Sequence, residues 1–395
     1  MRIGFFVTGV AVLPDSESNV SAHVQIPLYS MKLLRDAGHS VQLITTEMEP
    51  GEVLPACMPS GVPVHEVIDA RRKLRGRSRV EPLKLVQQVW QIRRIVLRER
   101  YDVLHFHGSC NLPNLASLVS CAGVKTPFVA TVNDSELPRR WWPLRRLLWR
   151  RVSAFITSTE FVRDLLRLRG VSAEVIKHGI VRNIDAELST PVSRTRYRVL
   201  FWRDPSLNNG VDVCLAAFDA LASRYPEVSF DAAVRNDHWE DWTPKFKELA
   251  KRHPNVNVHV FPYTGGVSLA QLLAESICVV LPFRKLSYHP QLSVLESIQL
   301  GIPVIVSALE SNVELSGAGR NALLVPVGNV EATVAAIEKV LSNGPWASRF
   351  ATEASERSRA VWNWQGYLSQ LEQTYTHAVA GAAGGLHQTS GCSDG

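Results

Sequence analysis

Short apolar segments alternate with longer amphipathic segments along the first half of the chain. An apolar segment at 3–7 is followed by a polar loop and then by a helical repeat of apolar positions over 23–37, which Gly38 ends. The next apolar segment, at 40–45, completes a β-α-β unit. Further strands are predicted at 103–106, 128–132 and 154–157, and further helices over 83–98 and from Leu112. Strands that alternate with helices in this way predict a parallel sheet covered on both faces.

The second half of the chain repeats this alternation as a separate series. Periodicity is lost between 183 and 196, where Pro191 lies among polar residues, so we place an interdomain linker there. Strands are then predicted at 198–202, 228–232, 256–260, 278–281, 304–306 and 322–325. The pattern therefore predicts an α/β protein of two doubly wound, Rossmann-like domains, at 1–190 and 196–361. The small, polar residues of 381–395 are predicted to form a disordered tail.

Composition and charge narrow the class of protein. The 395 residues are 46% hydrophobic and 20% charged, which is typical of a globular protein with room for two domains. No segment approaches the roughly 20 apolar residues that span a bilayer, and no cleavage pattern follows the first strand, so we expect a cytoplasmic protein. Residues 1–190 contain 26 Lys or Arg and 18 Asp or Glu, a net charge of +8. This excess indicates a polyanionic partner, with nucleic acid, anionic lipid and a phosphorylated acceptor all open.

The stretch from Leu281 to Val306 is the richest in candidate chemistry. Open parallel sheets bind ligands at the carboxyl ends of their strands, and here a buried strand ends at Pro282 before a cationic loop. We expect Pro290 to open a helix that carries Glu296. A carboxylate at that edge of the sheet could accept hydrogen bonds from both hydroxyls of a ribose.

This stretch resembles the donor-site signature of the family 4 (group 1) retaining glycosyltransferases. In that signature two Glu residues, eight positions apart, precede an Ala-Met-Ala-x-Gly-x-Pro-Val run. Glu296 matches the second Glu, and Gly301 and Pro303 match the run, whereas Tyr288 stands where the family has the first Glu. The segment 290–296 is similar to a Pro-Pro-Leu-Thr-x-Leu-Glu variant. The resemblance implies the GT-B fold, in which two Rossmann-like domains face a cleft, the first binding the acceptor and the second the nucleotide-sugar.

Other segments extend the resemblance over nearly the whole chain. Arg203 matches the Arg of the family's Gly-Arg…Lys-Gly-Val-Asp segment, whose Arg and Lys grip the donor diphosphate, but Asn209 replaces the Lys. A substitute cation is therefore expected from Arg284 or Lys285. Residues 178–180 resemble the hinge Asn-Gly-Ile, 38–41 resemble an early Gly-His-x-Val, and 362–380 resemble the closing helix that packs back on the first domain.

The resemblance implies a role for each matching residue, and each has a simpler alternative. Glu296 would hold the ribose, or be a solvated or ion-paired helix carboxylate; Arg203 would bind phosphate, or be a cation at a strand end. His107 would face the cleft, or be an ordinary loop histidine. The candidate catalytic residues are Glu296, Arg203 and His107. The candidate donor-binding residues are Arg203, Asn209, Tyr263, Arg284, Lys285, Tyr288, Gln291, Leu292, Ser293 and Glu296, and the candidate acceptor-binding residues are Ser18, Asn19, His107, Asn133 and Asp134.

Two basic segments suggest a further partner. Residues 139–151 combine cations with Trp and Leu, the composition of an interfacial helix, which would place the protein peripherally at the inner face of an anionic membrane. The alternative is a solvated basic face whose apolar residues enter the core. Residues 71–79 lack aromatics and are predicted to be a mobile loop, which could bind a phosphorylated or lipid-linked acceptor. Nucleic acid is a weak alternative, because no aromatic platform or helix-turn-helix pattern is present.

The resemblance implies a retaining glycosyltransferase of polysaccharide biosynthesis. It would move a hexose from a UDP- or GDP-sugar to a glycan or lipid-linked acceptor, with no metal or other cofactor. The sequence contains no GxxxxGK phosphate loop and no nucleophile elbow. Tyr288 and Asn209 also leave open a catalytically impaired binding protein on the same scaffold. A nucleotide-sugar epimerase or a phosphorylase is the third possibility.

Overall fold

The computed structural model describes residues 1–12, 20–74, 77–108, 123–135, 149–182, 197–235, 240–263 and 267–383, with backbone only over 71–79. They form two compact units. The first contains Met1–Ser158, Val162–His178 and the chain from Trp364 onward, and the second contains Thr159–Phe161 and Gly179–Asn363. The predicted linker at 183–196, the helix from Leu112 and most of the predicted tail lie outside the described residues.

The first unit is built on a seven-stranded parallel sheet with strand order β3-β2-β1-β6-β7-β8-β9. Its strands are β1 (Arg2–Val7), β2 (Ser40–Thr46), β3 (Val64–Val67), β6 (Val103–His107), β7 (Phe128–Thr131), β8 (Ala154–Thr157) and β9 (Glu174–Val175). Its helices are α1 (Ala22–Asp36), α2 (Pro82–Glu99), α3 (Glu160–Arg167, shared with the second unit) and α11 (Trp364–Ala383). Apolar residues of β1, α1 and α11 form one hydrophobic core, because both helices pack an apolar face against the sheet that contains β1.

The second unit is built on a six-stranded parallel sheet with strand order β12-β11-β10-β13-β14-β15. Its strands are β10 (Arg198–Phe201), β11 (Ser229–Val234), β12 (Val256–Val260), β13 (Ser276–Leu281), β14 (Val304–Ser307) and β15 (Leu323–Val325). Its helices are α4 (Val211–Ala222), α5 (Thr243–Arg252), α6 (Leu269–Ala274), α7 (Leu292–Gln299), α8 (Glu310–Leu315), α9 (Val330–Ser342) and α10 (Gly344–Val361). Two hydrophobic clusters, one on each face of the sheet, show that it is doubly wound.

The prediction of two doubly wound parallel sheets is confirmed, and three local predictions are wrong. Residues 71–79 were expected to be a mobile loop, but the described residues Arg71–Leu74 (β4) and Arg77–Val80 (β5) pair as antiparallel strands. Helix α7 begins at Leu292 with Gln291 as its N-cap, so Pro290 precedes the helix rather than opening it. Helix α11 continues through Ala383 and includes the first three residues of the predicted tail.

Candidate functional site

The carboxyl ends of four neighbouring strands in the second unit carry the candidate donor-site residues. Arg203 follows β10 by two residues, Arg235 follows β11 directly, and Tyr263 follows β12. The loop that holds Arg284 follows β13. Because these strands are parallel and adjacent, all of these residues emerge at one edge of the sheet, where open α/β sheets bind ligands.

Glu296 lies on α7 beside this edge and is almost fully buried, with 5% of its surface exposed. A buried carboxylate is costly unless it is paired. Its partner is Arg182, whose Nε lies 3.8 Å from Oε2 of Glu296 and whose side chain is only 11% exposed. The pair places a fixed negative charge and a fixed positive charge within the site.

Arg203 and Arg235 bring two further guanidinium groups to the same place. Burial lowers the pKa of the Arg203 guanidinium; Asp204 and Glu296 raise it, whereas Arg235 lowers it further. The Arg203 guanidinium lies 5.6 Å from the ring centroid of Phe283, and that of Arg235 lies 5.3 Å from the ring centroid of Phe261. Aromatic faces hold both cations in place.

The Nε atom of Arg203 is buried and has no hydrogen-bond partner among the described residues. A guanidinium with an unsatisfied donor is a side chain well suited to phosphate oxygens. Tyr263 belongs to the same cluster: burial raises the pKa of its phenol, and the nearby charges of Arg235 and Arg182 oppose that rise. The edge therefore gathers guanidinium groups, one of which has an unsatisfied donor, beside a tyrosine.

The loop after β10 packs tightly on the loop after β13. The backbone N–H groups of Arg284 and Lys285 donate to the carbonyl of Asn208 at 2.9 and 3.2 Å. Gly210 permits this approach, since its φ is +74° and a Cβ there would lie 1.7 Å from the carbonyl oxygen of Pro282. Asn209 stands where the family has Lys, and its amide donates to the carbonyl of Asp204 and to Oγ of Ser206 at 3.0 and 3.1 Å. Asn209 therefore stabilises the turn.

Arg284, one of the two substitute cations predicted from sequence, already has a carboxylate partner. Its Nε lies 3.0 and 3.1 Å from the two carboxylate oxygens of Asp212, and its Nη2 donates to Oδ2. A hydrogen bond from Arg284 lowers the pKa of Asp212, although burial opposes this. Any anion that binds Arg284 must therefore compete with Asp212. Lys285, the other candidate, is exposed.

The remaining donor-site candidates lie in the segment before α7 and in the first turn of that helix. Tyr288 and Leu292 are half-buried, and the carbonyl of Tyr288 accepts a hydrogen bond from Nε2 of Gln291 at 2.8 Å. Oγ of Ser293 is buried without a hydrogen-bond partner among the described residues. His289, which the sequence analysis did not single out, is fully buried with Nδ1 2.6 Å from Oγ of Ser311, and burial lowers its pKa to about 4.

The acceptor-site candidates that the structure describes belong to the first unit. His107 ends β6 with 2% of its surface exposed, and neither ring nitrogen has a hydrogen-bond partner among the described residues. Burial lowers the pKa of His107 well below its usual value. Asn133 accepts a hydrogen bond from the backbone N–H of Ser158 at 2.9 Å, which indicates a bracing role, and Asp134 is half-buried. Ser18 and Asn19 lie outside the described residues.

Two residue sets therefore emerge, one in each unit: Glu296, Arg203 and Tyr263 lie in the second, and His107 and Asn133 lie in the first. Sequence reasoning missed Arg182 and Arg235. Nowhere in the described part of the chain do three His, Cys, Asp or Glu side chains gather in a way that could hold a metal ion. The same residues include no helix of sufficient length and apolar character to cross a membrane.

Solved structures share this architecture. A glycosyltransferase from Rickettsia africae is 14% identical, with a TM-score of 0.75 and coverage of 96% of this chain and 98% of that one. HepE from Anabaena in complex with UDP is 15% identical, with a TM-score of 0.72 and coverage of 95% and 100%; its UDP-glucose complex gives a TM-score of 0.69. Two parallel α/β domains of this kind define the GT-B fold, as the sequence resemblance predicted. The molecule is thus of the GT-B class.

Two family models and one relative identify the family to which this fold belongs. Residues 28–177 match the model "Glycosyl transferase 4-like domain", and residues 196–343 match "Glycosyl transferases group 1". A phosphatidyl-myo-inositol mannosyltransferase of Mycolicibacterium smegmatis is 25% identical over 393 residues, which cover 93% of this chain and 92% of the relative. The chain belongs to glycosyltransferase family 4 (group 1), and the prediction from its motifs is confirmed.

Proposed function

We propose that this glycosyltransferase moves a hexose from a UDP- or GDP-sugar to a glycan or lipid-linked acceptor, with retention of configuration and without a metal. The observation that carries the proposal is the group of the buried Glu296 with the half-buried Arg203 and Arg235 at one edge of the second sheet. A carboxylate suited to a ribose beside guanidinium groups suited to phosphate matches the two polar parts of a nucleoside diphosphate.

Each residue has a defined task in this proposal. Glu296 accepts hydrogen bonds from the ribose hydroxyls, while Arg203 and Arg235 bind the diphosphate and Tyr263 packs beside the base. Arg235 takes the place of the family Lys that Asn209 replaces, because it lies half-buried near Arg203 at the end of the neighbouring strand. As the bond to the sugar lengthens, negative charge grows on the departing diphosphate, and positioned cations stabilise it.

The relatives support the proposed donor and the proposed acceptor. HepE binds UDP and UDP-glucose, which supports a uridine nucleotide as the donor carrier. The mycobacterial relative is a mannosyltransferase that acts on phosphatidyl-myo-inositol, which supports a hexose and a lipid-linked acceptor. His107, buried at the end of β6 with neither ring nitrogen hydrogen-bonded among the described residues, is the first-unit residue that we propose for contact with the transferred sugar or the acceptor.

The test is nucleotide binding by the full chain, measured as thermal shift and by calorimetry with UDP, GDP, ADP and dTDP. We expect UDP or GDP to raise the melting temperature of the wild type. Arg203→Ala and Arg235→Ala should each weaken that nucleotide roughly 10- to 100-fold, the equivalent of one charge-assisted contact. Arg224→Ala is the matched control, because Arg224 is exposed and pairs with Glu338 away from this edge.

Two outcomes contradict the proposal: no nucleotide stabilises the wild type, or Arg203→Ala binds the nucleotide as tightly as Arg224→Ala does. Sugar transfer measured with and without EDTA tests the absence of a metal, and the anomeric configuration of the product tests retention. Glu296→Gln is also expected to fold normally and to lose sugar transfer.

A binding protein without turnover is the second candidate, and one observation favours it. The amide of Asn209 is engaged within its own turn, and the cation of Arg284 is held by Asp212, so two positions that would contact a diphosphate are occupied by internal partners. Nucleotide binding without sugar transfer to any acceptor fraction would identify this function. Release of free sugar or of a sugar phosphate without an acceptor would instead indicate an epimerase or phosphorylase.

A further inference from the structure

Arg182 lies on the segment with which the chain enters the second unit. The long segment of that unit begins at Gly179, and Ile180 packs against the hydrophobic cluster that contains Val294 and Ile298 of α7. Because Ile180 fixes the segment on the cluster that holds α7, the guanidinium two residues later reaches the same helix. The side chain of Arg182 is largely buried, although the proposed function gives it no task.

Two residues of the proposed donor site are influenced by Arg182. Its Nε lies 3.8 Å from Oε2 of Glu296. Burial raises the pKa of the Tyr263 phenol, and the positive charges of Arg235 and Arg182 oppose that rise. Glu296 is the residue proposed for the ribose and Tyr263 the residue proposed for the base. Arg182 therefore lies beside the part of the site that would hold the nucleoside.

A carboxylate that recognises a ribose must be ionised and fixed in orientation. An ionised carboxylate only accepts hydrogen bonds, so it suits two neighbouring hydroxyl donors, whereas a protonated carboxyl group also donates. Burial favours the protonated form of a carboxyl group, and a nearby cation favours the ionised form. The separation of 3.8 Å between Nε and Oε2 is that of an ion pair and is longer than a hydrogen bond. Arg182 therefore stabilises the charge of Glu296 without a hydrogen bond from Nε to that oxygen.

We propose that Arg182 is a positioning residue, which keeps Glu296 ionised and oriented so that the enzyme distinguishes ribose from 2′-deoxyribose in the donor nucleotide. This inference rests on the proposed function and deepens it, because it assigns the selectivity for the sugar of the nucleoside to one ion pair. The alternative role for a guanidinium in this site is direct contact with the diphosphate. The two roles predict different results with a deoxynucleotide.

Calorimetry on the full chain compares UDP with 2′-deoxy-UDP, or GDP with 2′-deoxy-GDP if GDP is the nucleotide that binds. We expect the wild type to bind the deoxynucleotide about 10- to 100-fold more weakly, the equivalent of one hydrogen bond to a charged group. Arg182→Gln should reduce this ratio to about threefold or less, and Arg182→Lys, which keeps the cation, should retain most of it. Arg203→Ala is the matched comparison: it should weaken both nucleotides and leave the ratio unchanged, because it removes a contact with phosphate.

A double-mutant cycle tests whether Arg182 acts through Glu296. Glu296→Gln alone should abolish the discrimination between the two nucleotides. Arg182→Gln added to Glu296→Gln should change neither affinity further, because the carboxylate that Arg182 positions is gone. The double variant leaves neither member of the pair as an unpaired buried charge, so it is expected to fold even if Arg182→Gln alone does not. Thermal melts verify the folding of each variant.

Three results overturn the inference while nucleotide binding by the wild type still supports the proposed function. The wild type binds the two nucleotides equally; Arg182→Gln has a lower melting temperature but the ratio of the wild type, which indicates a structural role; or Arg182→Gln weakens both nucleotides equally in the Glu296→Gln background, which indicates contact with phosphate. A wild type that binds no nucleotide contradicts the proposed function itself, and this inference with it.

Discussion

Gly210 sets how closely the loop after β10 approaches the loop after β13. Its backbone has a positive φ, and the space where a Cβ would stand is filled by the backbone of Pro282. Two separate costs therefore oppose any side chain at this position: the strain of a left-handed conformation and a steric overlap with main chain, which cannot rotate away.

Replacement of Gly210 by Ala should lower the free energy of unfolding by about 2–4 kcal/mol, because the loops must separate. It should also weaken nucleotide binding, since Arg284 follows Pro282 in the displaced loop. Urea denaturation and calorimetry measure the two effects. Gly301→Ala is the matched control, with φ of +68° and nothing within 4 Å of its added Cβ. It should lose only about 1–2 kcal/mol from backbone strain. Equal losses in the two variants would show that the close approach contributes nothing.

The site residues differ in how readily sequence predicts them. Arg203 follows a buried strand, Glu296 lies on the helix after one, and both match family motifs, so both could be named before the structure was known. Arg235 could not, because the strand before it was predicted to end at Ala232, whereas β11 continues to Val234 and places Arg235 at the sheet edge. No sequence motif pointed to Arg182, since its contact with Glu296 joins residues more than one hundred positions apart.

Helix α11 is held in the first unit by buried polar contacts as well as by apolar packing. The hydroxyl of Tyr375 lies 2.6 Å from Nδ1 of His105, and Oγ1 of Thr374 donates to a carboxylate oxygen of Glu174 at 2.7 Å. Tyr375 is fully buried. Because a buried polar atom that loses its partner keeps its desolvation cost, these contacts fix the position of α11 on the sheet.

Tyr375→Phe should lower the free energy of unfolding by about 1–3 kcal/mol, because Nδ1 of His105 would remain buried without a partner. Tyr367→Phe is the comparison: its hydroxyl is 3.1 Å from Oγ of Ser30, which also donates to the carbonyl of Ile26 at 2.7 Å. Ser30 keeps that second bond, so this variant should lose less, about 1 kcal/mol. Chemical denaturation of both variants tests the order, and a reversed order would contradict it.

Elements with strong periodicity were predicted well, and short ones were not. The alternation of buried strands with amphipathic helices predicted both parallel sheets. Strand β9 has two residues, too few to show any pattern, and β3 lies at the sheet edge with mixed exposure. The hairpin of β4 and β5 is rich in Arg, a residue that carries no strand signal, so antiparallel pairing decides its structure.

Buried neutral histidines in both units couple the stability of the whole molecule to pH. Burial lowers the pKa of His105 to about 3 and that of His289 to about 4. In the unfolded chain both would titrate near the usual value of about 6.5. The unfolded state therefore binds more protons below that pH, so stability is complete above about 6.5 and declines as the pH falls toward 4.

We expect the free energy of unfolding of the wild type to decrease between pH 7 and pH 5, by up to about 1.4 kcal/mol per pH unit for each such histidine below 6.5. His289→Asn should remove the contribution of one histidine to the pH dependence of the free energy of unfolding, because Asn cannot take up the proton. His377→Asn, at an exposed position of α11, should leave it unchanged. Urea titrations at several pH values give the comparison, and an unaltered slope in His289→Asn would refute the assignment.

At the scale of the whole molecule, the sequence predicted two domains and the family, because each domain carries its own alternating pattern and its own motifs. The chain order alone could not show which residues belong to which domain. The residues from Trp364 onward belong to the first unit although they follow the second, and only the family resemblance of the closing helix anticipated this.

The pair of Asp212 and Arg284 has a consequence for the ligand-free protein. Asp212 gives Arg284 the two-oxygen contact that a phosphate would give, so this guanidinium has a defined orientation before any donor arrives. Conformational freedom that is already lost in the resting state is not lost again on association. Asp212 thus holds Arg284 in one orientation, and a phosphate group that took over this guanidinium would lose less side-chain entropy but would have to displace the carboxylate.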